Sequence, residues 1–178
     1  MRAKQGAKHI LYIWLVTGLA VWQLALLFPE LELDKAQELL LIILLWVVAE
    51  WLAVPFPHGQ LSGSYTLLFS AFLIYGPAAA AWIGGLATVL GQGIANRGNP
   101  LRTTLFNASQ YVLAVLAASY VFWSCGGEPG RVSAGNAFPL VAFTISYVIV
   151  NHLLVYLYLM PKRRRLPHLN WLDTIKWD

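Results

Sequence analysis

The sequence predicts an all-α, polytopic membrane protein with six transmembrane helices, and three observations lead to this fold class. Of 178 residues, 58% are hydrophobic and only 11% are charged, whereas an average soluble domain carries about 25% charged residues. The apolar residues occur in six long runs separated by short polar loops. Lys and Arg concentrate in alternate loops. This composition excludes a soluble single domain and a disordered chain.

The first two apolar runs flank an acidic loop. The run 10–28 follows a basic N-terminus, but it is longer than a signal-peptide core and has no small-residue cleavage site, so it is interpreted as a membrane helix. The loop 30–38 contains four acidic residues and a single Lys. The second run, 39–54, carries Glu50 near its end and is stopped by prolines in the segment 55–63.

The third and fourth runs, 64–75 and 78–94, are joined by the dipeptide Gly76-Pro77. One straight helix over the whole stretch would be much longer than the about 20 residues that cross a bilayer core. Glycine followed by proline is a strong signal for a chain reversal. We therefore predict a tight helical hairpin with its tip at Gly76-Pro77.

The fifth and sixth runs complete the predicted bundle. The fifth, 103–123, follows the polar loop 95–102, and the sixth, 137–160, follows the Gly-rich loop 124–136. Together the six helices assign residues 1–165 to one membrane domain.

The C-terminal residues are first basic and then amphipathic. Four basic residues follow the sixth run closely: Lys162, Arg163, Arg164 and Arg165. They are predicted to stop translocation and to anchor the chain on anionic lipids, rather than to bind nucleic acid. Residues 166–178 alternate apolar and polar side chains, so they form an interfacial amphipathic tail or begin a linker to an output domain.

The orientation of the bundle follows from its basic residues. With the N-terminus inside, ten of the 12 Lys and Arg residues fall in cytoplasmic segments, and only Lys35 and Arg131 fall outside. This positive-inside bias predicts that both termini are cytoplasmic. If residues 64–94 formed one helix, the chain would cross five times, and the basic run after its last helix would lie outside. The predicted hairpin therefore agrees with the charge bias.

Small residues recur at every fourth position along the fourth run. Ala80, Gly84 and Thr88 form one series, and Ala81 and Gly85 form a second. In lipid, faces made of small residues let helices approach closely. The pattern predicts a helix-packing seam, and a ligand held beside the glycines is the alternative.

Polar residues lie at membrane depth in the last two runs: Asn107, Gln110 and Tyr111 in the fifth, and Tyr147, Asn151 and His152 in the sixth. Such side chains are costly when they face lipid, so they should face the bundle interior or a wet cavity. The helical rise puts both sets in the inner half of the membrane, and the short connection favours neighbouring helices. We expect them to converge on one cavity for a small-molecule ligand, with interhelical hydrogen bonding as the alternative.

Glu50 is the only carboxylate well inside a predicted crossing, and intramembrane acids are candidates for function. It therefore joins the candidate ligand-binding residues, with His58 and Gln60 of the next loop as partners. The sequence contains a single Cys and no Ser-His-Asp set, zinc-protease motif or phosphate loop. No carboxylate or second His lies at ligand spacing around His152. We predict no metal, no cofactor and no enzymatic activity, and any catalysis would reside in a cytoplasmic domain outside this chain.

Two stretches resemble a known class of bacterial membrane protein. Residues 67–90 contain Gly76-Pro77 and the Ala/Gly-rich helix after it, and residues 105–122 begin with Leu-Phe-Asn-Ala and include Gln110. These stretches resemble the N-terminal multi-pass membrane domain of sensor proteins that carry HD-GYP phosphodiesterase or diguanylate cyclase output domains. The resemblance spans residues 39–160. It implies a sensory or ligand-binding input module in a bacterial inner membrane, with a cytoplasmic output domain as partner.

The sequence departs from that pattern because it ends at Asp178 without an output domain, so it is either part of a longer protein or a stand-alone membrane protein. The Gly-Pro hairpin and the small-residue helix are also similar to the S-components of energy-coupling-factor vitamin transporters, which are six-helix proteins of this size. That similarity implies a vitamin-like solute and a partner membrane subunit. A structural subunit of a larger membrane complex is a third interpretation. Membrane lipids are expected partners in all three, and nucleic acid in none.

Overall fold

Helices make up most of the chain in the computed structural model, which describes residues 2–56, 59–61, 63–95, 100–130 and 133–159. Five α-helices lie within these residues: α1 Arg2–Leu27, α2 Ala36–Trp51, α3 Ser64–Ala95, α4 Leu101–Ser124 and α5 Ala137–Leu159. The prediction of an all-α membrane-type fold is confirmed at this level. One small addition is a pair of three-residue strands, β1 Val54–Phe56 and β2 Gly59–Leu61, which pair antiparallel.

The connections at one end of the bundle are short helical turns. Two 3-10 turns, Phe28–Glu30 and Leu33–Lys35, join α1 to α2, and a third, Ala134–Asn136, leads into α5. The helix α1 starts at Arg2, earlier than the apolar run that predicted it, because its polar first turns continue the same helix.

The helix α3 reverses direction at Gly76. This residue has φ +82° and ψ −175°, a conformation that glycine adopts without the cost of a Cβ, and Pro77 then begins the next segment with a φ already suited to a first helical turn. A Cβ added at Gly84 would lie 3.0 Å from Leu68 Cδ1. In a straight helix these two residues would be about 24 Å apart. The helix therefore consists of two antiparallel limbs, 64–75 and 77–95, as the sequence predicted.

Four stretches are long and apolar enough to cross a membrane: His9–Glu30, Ser64–Gly93, Leu101–Ser124 and Ala134–Leu159. The 16 residues of α2 would extend about 24 Å, less than the about 30 Å of a bilayer core. The chain is thus a membrane-type protein with at least four apolar helices of spanning length among the described residues, one of which folds back on itself.

The bundle is organised around α4, which contacts α1, α3 and α5, whereas α2 packs against α3. At the tip end, where α3 reverses, the Tyr75 hydroxyl donates to Glu38 Oε2 at 2.5 Å and the Gly130 N–H donates to the Leu73 carbonyl at 2.9 Å. At the opposite end, which we call the open end, the first residue of α3 contacts the last turn of α2, and Tyr12 of α1 contacts Leu154 near the end of α5. A core of aromatic rings fills the tip half, with Phe72 stacked on Phe143 at 4.3 Å between centroids.

Candidate functional site

Glu50 of α2 contacts both limbs of α3 at the open end, through a hydrogen bond to the first limb and through packing against the second. Ser64, the first residue of α3, is 1% exposed, and its hydroxyl donates to Glu50 Oε1. A Cβ added at Gly91 would lie 3.1 Å from Glu50 Cγ, so the second limb comes equally close. The Glu50 carboxylate therefore serves as an acceptor at the point where three helical segments meet. Its predicted partners in the following loop, His58 and Gln60, have side chains outside the described part of the structure.

An amide pair joins the second limb of α3 to α4. The Asn107 Nδ2 group donates to Gln92 Oε1 at 2.8 Å. Asn107 is half-buried and lies in the second turn of α4. Gln92 was not among the residues predicted from sequence, although an amide near the end of an apolar run is a usable signal.

A second amide pair joins α4 to α5. Gln110 is 7% exposed, and its Nε2 group donates to Asn151 Oδ1 and, at 3.4 Å, to the Asn151 carbonyl. Since an unpaired amide at this depth would cost free energy, the pair satisfies two groups that the apolar surroundings would otherwise penalise. The sequence correctly predicted that these two helices bring polar residues to the same depth.

The aromatic members of the predicted set are packed against other helices. The Tyr111 ring meets Trp46 of α2 edge-on at 5.3 Å, and the Tyr147 ring lies 4.9 Å from that of Tyr65 on the first limb of α3. His152 Nδ1 is 2.9 Å from the Val148 carbonyl one turn earlier. The two tyrosine rings thus pack against different helices, α2 and α3, and this His152 contact stays within α5.

The structure therefore divides the predicted single cluster into separate contacts. Asn107 bonds to α3, and Gln110 bonds to α5, because residues three apart differ by about 60° around a helix and here face different neighbours. Asn107 and Gln110 therefore do not converge on one partner, and a ligand-binding role of the six residues stays a prediction. Among the described residues, the arrangement is instead a belt of hydrogen-bonded pairs at the open end, and we call it the polar belt: Glu50–Ser64, Gln92–Asn107 and Gln110–Asn151.

The helix α1 contacts α5 at the open end through residues that the sequence did not predict. The Tyr12 hydroxyl donates to the Leu154 carbonyl at 3.1 Å, and the His9 ring lies 4.7 Å from that of Tyr158. Phe106 stacks on Tyr158 at 4.5 Å. Aromatic residues near the ends of membrane helices are common at any interface, so their types alone do not reveal which helices they join.

The predicted small-residue seam lies in close helix contacts. Gly84 faces Leu68, Tyr111 and Trp46, and a Cβ added at Gly85 would lie 3.2 Å from Val112 on α4. Ala80, Ala81 and Thr88 are fully buried. The second limb of α3 thus packs on two sides through residues that carry little or no side chain, which leaves no open space beside these glycines for a ligand.

Three buried polar atoms have no hydrogen-bond partner in the described part of the structure: Thr17 Oγ1, Trp46 Nε1 and Thr88 Oγ1. Trp46 also packs over Gly84, and both Trp46 and Thr88 lie in the region where α2 and the second limb of α3 meet. Each buried polar group without a partner lowers the stability of this contact between α2 and α3.

Charged groups that are described outside the predicted crossings lie mainly at the tip end. Lys35 pairs with Glu32, and this hydrogen bond raises the pKa of the Lys35 ammonium, with a further contribution from nearby carboxylates. No group of three His, Cys, Asp or Glu side chains able to hold a metal ion occurs within the described residues. The predicted lipid anchor, Lys162 to Arg165, and the tail 166–178 lie outside them.

Comparisons with protein-family models, with curated proteins and with solved structures found no match to this chain. The fold itself, with four apolar stretches long enough to cross a membrane among the described residues, defines the class of α-helical membrane-type proteins. Its function has to be argued from its own residues.

Proposed function

We propose that the chain is a six-crossing protein of a bacterial inner membrane, with both termini in the cytoplasm, that acts as a membrane-embedded sensory input module. The coupling of its first and last helices at the open end carries the proposal. A change in packing among the crossings would move the inner end of α5, which the basic run follows in the sequence.

Charge and geometry support the topology together. Acidic residues cluster at the tip end, around Glu32 and Glu38, and a basic residue, Arg102, begins α4 at the open end. The helix α1 begins at the open end and α5 ends there, and in the sequence the basic run follows α5 directly. With the open end inside, the positive-inside pattern is satisfied.

Two of the six proposed crossings are short. The first limb of α3 has 12 residues and would extend about 18 Å, and α2 would extend about 24 Å. Short hydrophobic segments are accommodated when the bilayer thins locally or when neighbouring helices cover them. Here the first limb packs between α2, the second limb and α5, so that other helices shield part of its surface from lipid.

The sensory role is supported by how α5 is held. Only Pro139, Phe143 and Tyr147 of α5 are fully buried among its described residues, while α4 has eleven such residues. The inner half of α5 is joined to the bundle by the amide pair with Gln110 and by the contacts with α1. The helix packs along α4 and turns most of its remaining surface outward, so a shift of α5 along α4 would leave the rest of the bundle folded.

Cysteine labelling tests the topology. In a Cys125→Ser background, Lys35→Cys should react with an impermeant maleimide from the outside and Arg102→Cys only after the membrane is opened. Labelling of both from the same side would rule out the proposed orientation and crossing number.

A distance measurement tests the sensory role. Spin labels at the exposed positions Leu52 and Leu157 report on the open end, and labels at Leu33 and Phe138 serve as the tip-end control. The protein in nanodiscs is titrated with water-soluble vitamins and with lysophosphatidylcholine. A sensor predicts that one probe shifts the open-end distance.

The same measurement discriminates the alternatives. Saturable binding of a vitamin with an unchanged open-end distance favours a transporter S-component, which needs a pocket but no signal to the inner end. An unchanged distance with no binding of either probe favours a structural subunit, whose polar belt only holds the helices together.

A further inference from the structure

The helices α2 and α5 present lipid-facing surfaces of different height. On α5, exposed apolar side chains run from Phe138 to Leu157, which corresponds to about 29 Å along the helix. On α2, they run only from Leu40 to Leu52, the residue that caps the helix, which corresponds to about 18 Å. Since the hydrocarbon core of a typical bilayer is about 30 Å thick, α5 matches it and α2 is too short.

Polar groups limit the apolar face of α2 at both ends. Gln37 and Glu38, in the first turn of the helix, are exposed. After Leu52 the chain leaves the helix and reverses as the hairpin of β1 and β2. The edges of a two-stranded hairpin carry backbone groups that need water or a protein partner, so such a hairpin does not lie against hydrocarbon. The apolar face of α2 therefore does not extend beyond the helix.

Helices that are too long and helices that are too short for a bilayer respond differently to it. Tilting lowers the height that a long helix covers, whereas no tilt raises the height of a short one. The spanning stretches of α1, α4 and α5 have 22, 24 and 26 residues, so they are about 33–39 Å long and can fit cores of different thickness by changing their tilt. The helix α2, at about 24 Å, fits only a thin core.

Contacts at the tip end hold the short and the long helices together there. The Tyr75 hydroxyl at the reversal of α3 donates to Glu38 of α2. The Gly130 N–H, in the loop between α4 and α5, donates to the Leu73 carbonyl. A difference in height between the helices should therefore appear at the open end.

At the open end, α5 is joined to the other long helices. Asn151 accepts a hydrogen bond from Gln110 of α4, and the Leu154 carbonyl accepts one from Tyr12 of α1. The last turn of α2 instead contacts α3, through Glu50. The ends of α1, α4 and α5 can thus move together relative to the end of α2.

We propose that the stimulus of the sensory module is the hydrocarbon thickness of the bilayer, which acts through the unequal heights of α2 and the longer helices. The inference rests on the proposed function, in which α2 is a membrane crossing of an input module. In a thin bilayer α2 spans the core and the long helices tilt. In a thicker one the long helices become more upright, and the inner end of α5 moves away from the end of α2. The partner that the module senses is then the lipid bilayer itself rather than a solute.

Distances in nanodiscs of defined thickness test this inference. The nanodiscs contain phosphatidylcholines whose acyl chains give cores of about 24 Å or about 30 Å. Spin labels at Leu52 and Leu157 report on the open end, and labels at Leu33 and Phe138 report on the tip end. We expect the open-end distance to increase by up to about 6 Å in the thicker core, because α2 cannot follow the added height. The tip-end distance should stay unchanged.

A variant with a taller apolar face on α2 sharpens the test. Gln37→Leu adds three residues, about 4.5 Å, to that face, so the distance change should begin in a core about 4.5 Å thicker. Gln23→Leu is the matched control, because it lies within the apolar stretch of α1, between the exposed Trp22 and Leu26, and adds no height. Its response should equal that of the unchanged chain. Thermal melting in detergent establishes that both variants fold.

Three results would overturn the inference: an open-end distance that ignores the thickness of the core, an equal change at both ends, or an unaltered response in a folded Gln37→Leu variant. A disulfide between Leu45→Cys residues of two chains would assign the exposed face of α2 to a second copy and overturn it as well. An open-end distance that responds to a vitamin or to lysophosphatidylcholine, but not to thickness, would keep the sensory role and remove only this stimulus. Same-side reaction of Lys35→Cys and Arg102→Cys would remove the topology on which both proposals rest.

Discussion

The two ends of the bundle are joined by different kinds of contact. At the tip end, the connections mostly involve main-chain groups: the Gly130 N–H bonds to the Leu73 carbonyl, and the buried Asn136 side chain exchanges hydrogen bonds with the main chain of Glu128. The side-chain pair of Tyr75 with Glu38 is exposed. At the open end, the connections are side-chain pairs among buried or half-buried residues, such as Gln110 with Asn151.

The difference indicates which contacts select the neighbours of each helix in this fold. Water can replace an exposed contact such as Tyr75 with Glu38, so such a contact adds little free energy. A pair in the polar belt has no such replacement when one partner is removed, because the remaining amide or carboxylate stays in apolar surroundings. The belt therefore determines which helices are neighbours, and the tip end mainly shapes the loops.

The largest effect is expected where helices approach most closely. Gly84→Leu should lower the free energy of unfolding by about 1–3 kcal/mol, because even a Cβ there would lie 3.0 Å from Leu68. Thermal melting in detergent measures the loss. Gly18→Leu is the control, since a Cβ at Gly18 meets nothing within 4 Å. Equal melts for both variants would show that the limbs of α3 do not pack here.

A smaller effect is expected in the buried amide pair. Gln110→Leu should destabilise the fold by about 1 kcal/mol, because the Asn151 side chain loses its partner. The double variant Gln110→Leu with Asn151→Leu should recover part of the loss, since both polar groups are then absent. If the double variant melts no higher than the single one, the two residues do not form a pair.

The second amide pair is half-buried and should matter less. Asn107→Leu is expected to cost about 0.6 kcal/mol, the average for interhelical hydrogen bonds in a membrane bundle. A double-mutant cycle with Gln92→Leu isolates the coupling between the two side chains. Additive losses in the cycle would contradict the contact between α3 and α4.

The smallest effect is expected at the tip. Tyr75→Phe removes the hydrogen bond to Glu38, but both groups reach water, so the change in stability should stay within about 0.5 kcal/mol. The melting temperature in low and high salt measures it. A loss as large as that of Gln110→Leu would erase the distinction between the two ends.

Much of the fold could be predicted from the sequence because it depends on local chemistry. The long apolar runs predicted where helices lie, since a helix in lipid must satisfy its own backbone groups. Gly76 followed by Pro77 predicted the reversal, because their backbone preferences act on neighbouring residues alone. The spacing of Ala80, Gly84 and Thr88 indicated the seam for the same reason. The β-hairpin after α2 was not predicted, since its prolines signalled only a break.

The candidate site was predicted only in part. The sequence identified Gln110 and Asn151 as polar residues of equal depth, and they meet in the structure. It also grouped Asn107 with them, whereas Asn107 bonds to Gln92. Periodicity states which residues share a face of one helix, but not which neighbour lies opposite that face.

The sequence by itself determined the membrane class, the helical segments, the hairpin and the asymmetry of charge, all of which follow from composition and short-range order. Only the tertiary structure decided the pairs of the polar belt and the diagonal path of α1, which contacts α5 at Tyr12 and α3 at Leu24. The physical reason is that lipid offers helices no hydrophobic preference for one neighbour over another. Packing and hydrogen bonding between residues distant in the chain make that choice, and they exist only once the helices are assembled.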